Sequence, residues 1–97
     1  MSYLDGIATE IRDEVPESAF SADHSESLFR AYAVLLLAKG AEVTEEDVHN
    51  AWVAWMTDRG ERHSSMVPFD QLQPETRAED SPFVRAIRQV AERSRRI

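Results

Sequence analysis

"VTEEDVHNAWVAWMTDRG", residues 43–60, is the stretch on which the fold turns. Thr44 followed three residues later by Asp47 makes a capping box, in which the hydroxyl accepts from the third amide and the carboxylate reaches back to the cap's own N–H. Val43 before the cap and Val48 after it are placed as a hydrophobic staple. Glu45, Glu46 and Asp47 bring negative charge to the positive end of the helix dipole. Val48, Ala51, Trp52 and Trp55 then fall on one face at helical spacing, and Gly60 ends the run. This is an amphipathic helix punctuated at both ends, so the rest of the chain must supply an apolar partner for its inner face.

Upstream, "LFRAYAVLLLA" (28–38) is apolar on nearly every face, which predicts the central and most buried helix. Asp23 or Ser25 is its expected cap, and Gly40 its stop. At the start of the chain, Ser2 and Asp5 repeat the capping-box pattern. Leu4, Ile7, Ile11 and Val15 then recur on one face until Pro16. Residues 16–25 form a polar connector whose apolar residue of note is Phe20. Downstream, Pro74 suits the first position of a short turn, "PETRAED", with Asp70 and Gln73 as expected caps. Ser81-Pro82 opens a last helix whose Phe83, Ile87, Val90 and Ala91 face inward. No segment alternates with period two, so strands are not expected. The predicted architecture is mainly α: a small four-helix bundle with an ordered irregular segment, residues 61–80, packed across it. One domain, 1–97, is expected, comprising a helical pair (1–40), a second region (44–92) and a basic tail (93–97).

Ninety-seven residues with 42% hydrophobic content suit a single core, which at this size covers roughly 60–65% of the unfolded surface. The absence of cysteine removes disulfides, thiolate metal sites and a cysteine nucleophile. The longest apolar run, Ala31 to Ala38, is too short for a bilayer, and a cytoplasmic protein is expected with no membrane partner. The net charge of -7 is uneven: residues 1–50 carry eleven acids against three bases, whereas 51–97 carry seven against eight. An acidic body argues against nucleic-acid partners, because phosphate affinity comes from lysine and arginine. A helix-turn-helix reading of the pair joined by "KGAEV" fails for the same reason, since "TEEDVHN" would face DNA phosphates with carboxylates. The basic C-terminal helix is expected to complement its own dipole. Ten of the eleven bases are arginine, as in a GC-rich genome.

Candidate chemistry gathers after Gly60. Trp52 is expected in the core, whereas Trp55, nearer the helix end, is a candidate wall for a planar ligand. Arg59, Arg62, His63 and Ser64 follow closely and form a candidate set of donors for an anion, with Asp70 a further candidate at the rim. His24, His49 and His63 share no ligand spacing, so no metal and no cofactor is expected, and His49 reads as a surface residue. Ser64 or Ser65 beside His63 lacks the elbow that would expose a nucleophile, and the glycines Gly6, Gly40 and Gly60 make no phosphate loop. An enzyme is therefore not the leading expectation.

From Val48 on, "VHNAWVAWMTDRGERHSSMVPFDQLQPETRAEDSPFVRAIRQV" resembles a ryanodine-receptor-type (RyR) domain. The resemblance is carried by His49, Trp52, Gly60, His63, the Val67-Pro68-Phe69 run, Leu72, Pro74, Glu75, Arg77 and Asp80. Only Glu61 and Arg62 stand between Gly60 and His63, where that family has a longer insertion with an aromatic-glycine element and a lysine. The whole chain also resembles small actinobacterial and actinophage proteins. The resemblance implies a non-catalytic module that senses or sequesters a small anionic, nucleotide-like ligand. The second expectation is a protein-interaction module, as a phage-encoded modulator of a host protein or as a homodimer, and an enzyme acting on a nucleotide is the third. Residues 61–80 are then expected to be pinned by burial of Met66, Val67, Phe69 and Leu72, each contributing about 1.5–3 kcal/mol if fully covered.

Overall fold

The structure is a computed structural model that describes residues 2–20 and 25–94. It is mainly α, as expected, with α1 (Tyr3–Glu14), α2 (Glu26–Lys39), α3 (Glu45–Asp58), a single-turn α4 (Pro74–Ala78) and α5 (Ser81–Ser94). Short 3-10 turns at Glu17–Ala19, Gly40–Glu42 and Phe69–Gln71 shape the connections. Among the described residues there is no strand. Asp23 and His24, and Arg95 and Arg96 of the basic tail, lie outside the described residues.

Both capping boxes form. Ser2 accepts from the Asp5 amide while the Asp5 carboxylate accepts from Ser2. Thr44 and Asp47 make the same reciprocal pair, and Asp47 also receives Lys39 at 2.8 Å. Val43 and Val48, the staple pair, are both buried in the common core. α3 ends in a Schellman motif: the Glu61 amide donates to the Met56 carbonyl and the Gly60 amide to Thr57, each at 3.0 Å. Gly60 holds φ +71°, a left-handed conformation that a side chain would strain. Two expected caps differ. Ser25 stands at the start of α2 but makes no capping bond. Gln73 likewise does not cap α4, and the backbone carbonyl of Asp70, not its carboxylate, takes a bond from Arg77 at 2.9 Å.

One core joins all four long helices, with Ile11, Phe29, Tyr32, Val48, Ile87 and Val90 among its buried members. Leu4, Ile7, Ile11 and Val15 of α1 all pack there, as do Phe83, Ile87, Val90 and Ala91 of α5. α2 is central, packing on α1, α3 and α5. It is not covered on every face: Val34 and Leu37 are 53% and 52% exposed. The apolar run of α2 therefore exceeds what one small bundle can bury. Arginines of α5 serve the fold directly, Arg88 donating to the Val43 carbonyl and Arg93 pairing with Glu14.

Residues 61–73 cross the end of α3 with Leu72 buried and Met66, Val67 and Phe69 half-buried. The attachment is thus less apolar than the sequence predicts. A turn closed by Met66 N–H to the His63 carbonyl starts the segment, and Pro68, at φ -54° and ψ 144°, leads into the next 3-10 turn. Leu72→Ala should lower stability by about 2–4 kcal/mol, the cost of a large-to-small change at a covered site. Chemical denaturation of the variant would check this, and an unchanged midpoint would show that Leu72 anchors nothing.

Candidate functional site

His49, read from sequence as a surface residue, is only 3% exposed. Its ring meets Trp52 at 5.9 Å and Phe69 at 6.0 Å between centroids. Nε2 lies 2.7 Å from the Val67 carbonyl, and a carbonyl only accepts, so Nε2 carries the proton. One face of α3 explains the burial: His49, Trp52 and Met56 are spaced three and four apart, and His49 and Met56 are buried. This imidazole fastens the irregular segment to α3.

Next to that anchor a cleft of about 610 Å³ opens among α2, α3, the 63–65 turn and the α4–α5 junction. Its walls are aromatic, with Phe20, Trp52, Trp55 and Phe83 all on its lining. Phe20, Phe29, Tyr32 and Phe83 form a connected cluster with centroids 5.1–6.3 Å apart, which fixes one wall to the core. His63 places its ring edge-on to Trp52 at 5.4 Å. Its Nδ1 accepts from the Ser65 amide at 3.0 Å, which leaves Nε2 as the nitrogen that carries hydrogen in the neutral ring.

The expected site residues do not converge. Trp55 and His63 line the cleft; Arg59, Arg62, Ser64 and Asp70 do not. Arg59 instead lies over the Trp55 ring at 4.5 Å and pairs with Glu61 at 3.2 Å, while the Trp55 indole donates to Ser27 at 2.7 Å. Its guanidinium therefore occupies a Trp55 face that the sequence reading offered to a ligand. Arg62, Ser64 and Asp70 are exposed. Among the described residues, the cleft carries the carboxylates of Glu79 and Asp80 and no lysine or arginine. Among the same residues no group of histidine and acidic side chains is arranged to hold a metal ion.

Sequence reasoning passed over the groups that lie on the cleft lining: Tyr32, His49 and Asp80. His49 was signalled by its spacing from Trp52 and Met56. Asp80 carried no such signal beyond its place in the family resemblance. Its backbone carbonyl does accept from Val84, in the manner of an N-cap residue. No described residue donates a hydrogen bond to its carboxyl group. Burial pushes the Asp80 pKa up to about 6; His49 draws it down, and Glu79 and Glu45 add to the rise. Tyr32 is also raised, first by burial and then by Asp80, so its phenol stays protonated.

An all-α module with an aromatic-walled, acid-bearing cleft is the class that this fold and site define. The chain belongs to the family described as a domain of unknown function, DUF7701, whose model matches residues 2–92. Every residue on the cleft lining lies within that match. Nothing matches among curated proteins or among solved structures.

Asp80 has a folded pKa above the unfolded value, so its contribution favours folding at low pH and is lost as pH rises through about 6. Asp80→Asn should therefore raise stability at pH 7.5 by about 1 kcal/mol, discounted for partial exposure. That corresponds to roughly 4–8 °C in Tm for a domain this size. The gain should roughly halve by pH 5 and vanish only below the ordinary carboxylate value of 3.8. Thermal unfolding of both proteins at the two pH values checks this, and a variant less stable than the parent at pH 7.5 would refute it.

Proposed function

We propose that the chain is a non-catalytic binding module that takes a small planar ligand of nucleoside size into the cleft beside Trp52. The observation that carries this is the juxtaposition of aromatic walls with the carboxyl group of Asp80, to which no described residue donates a hydrogen bond, in a concavity of about 610 Å³. That combination of apolar walls and a few placed polar groups is what small-molecule sites have in common. The sequence expectation of a nucleotide-like ligand is supported in its planar part. Its anionic part receives no support, because Glu79 and Asp80 would repel a phosphate placed in the cleft.

The likeness of residues 44–92 to a ryanodine-receptor-type domain, in an actinobacterial or actinophage protein, belongs to the same proposal. His49, Trp52, His63, Val67 and Phe69, which carry that likeness in sequence, are joined by one set of contacts around His49. A cytoplasmic setting fits a chain in which, among the described residues, no helix is long and apolar enough to cross a membrane. The alternative, a protein-interaction module or homodimer, is supported by the half-exposed Val34 and Leu37 on α2. Light scattering across concentration distinguishes it, a dimer favouring that reading and a strict monomer removing its homodimer form.

Thermal-shift screening with nucleosides and nucleotides, read beside tryptophan fluorescence, tests the leading reading. A ligand at a hundred times its Kd stabilises the fold by about 2.7 kcal/mol, and stacking on Trp52 should change its emission. Trp52→Ala should abolish the response. If nothing shifts Tm at millimolar concentration, the module has some other role.

A further inference from the structure

The carboxyl group of Asp80 is the most costly polar feature of the cleft. It is half-buried, no described residue donates to it, and a second carboxylate, Glu79, lies on the same lining. Charged groups taken out of water without a partner weaken a fold. The groups that bear on Asp80 from neighbouring elements are few. His49 and Glu45 come from α3, Glu79 precedes it in the chain, and Tyr32 stands on α2. His49 is the one that favours the ionised form, yet its Nε2 is already committed to the Val67 carbonyl. Tyr32, buried in the core and on the cleft lining, donates no hydrogen bond to any described residue.

Such a floor accepts hydrogen bonds; it does not supply positive charge. A carboxylate takes two parallel N–H groups side by side, the geometry of an amidine or of an amino group next to a ring N–H. Aromatic walls hold a flat group in plane with that edge and add attraction when it is cationic. Resting on the binding role proposed above, we infer that Asp80 anchors the N–H-bearing edge of a planar ligand. The group it recognises is an amidinium or a heterocycle that sets an amino group beside a ring N–H, as guanine does, and not a phosphate. Trp52 is the wall on which the plane rests, and the Tyr32 phenol serves as the adjoining donor or acceptor.

Benzamidine, benzamide and benzoate share one ring and differ in the charge and hydrogen-bonding of a single substituent, and guanosine and inosine, which differ in the 2-amino group alone, form a parallel pair. Titration calorimetry with these five compounds and inorganic phosphate, on the parent chain and Asp80→Asn, tests the inference. Benzamidine and guanosine should bind, with benzoate, inosine and phosphate at least tenfold weaker. Asp80→Asn should weaken benzamidine at least tenfold while melting no lower than the parent, which separates lost binding from lost folding. Benzamidine stays cationic from pH 7.5 to 5, so an affinity about tenfold lower at pH 5 would report protonation of a carboxyl that titrates near pH 6. Benzoate or phosphate binding as tightly as benzamidine, or benzamidine indifferent to Asp80→Asn, overturns the inference. If a nucleotide binds while benzamidine and guanosine do not, the inference fails and the binding role stands. If no compound binds, both fail.

Discussion

The bond from the His49 imidazole to the Val67 carbonyl is the constraint from which the rest of the site follows. Residues 61–73 have little periodic structure of their own, and their apolar side chains are mostly half-covered. Half-covered side chains give about half of the roughly 1.5–3 kcal/mol of full burial apiece, and little direction. A buried hydrogen bond is directional, and leaving the Val67 carbonyl without its donor costs about 1–3 kcal/mol where water cannot replace it. It sets the segment's register on α3, which places His63 against Trp52 and completes the cleft. Phe69 gains from the same anchor, meeting His49 on one side and the Arg77 guanidinium at 5.1 Å.

The cleft is expensive to keep. Asp80 disfavours folding at neutral pH, and a half-buried indole wall and an open concavity give up packing that a small core can ill spare. Concentrations of unsatisfied chemistry of this kind are the usual mark of a site selected for something other than stability. The fold tolerates it because α1, α2, α3 and α5 share a dense core, most of whose members lie away from the cleft. Ile11, Val43, Val48 and Ile87 in that core are completely buried.

The helices were legible in the sequence because their signals are local. Ser2 with Asp5, Thr44 with Asp47, and Gly60 each act within four residues of themselves, and the structure honours all three. The candidate site was legible only in part. Arg59, Arg62 and His63 were grouped because they are neighbours in sequence. Gly60, in its left-handed conformation, turns the chain between them and sends Arg59 onto Trp55 and His63 onto Trp52. His49 was hidden by its acidic neighbours, which mark a solvated first turn, although its spacing from Trp52 and Met56 pointed inward. Asp80 meets Tyr32 and His49 only through packing across forty-eight and thirty-one residues of chain, a pairing no local pattern announces.

Long-range proton–nitrogen NMR of the His49 ring tests the account most directly, because it reads which nitrogen carries the proton. The account requires hydrogen on Nε2, protected from exchange with water and shifted by its bond to the Val67 carbonyl. A ring bearing hydrogen only on Nδ1, or an Nε2 proton exchanging at the rate of a solvent-exposed imidazole, would contradict it.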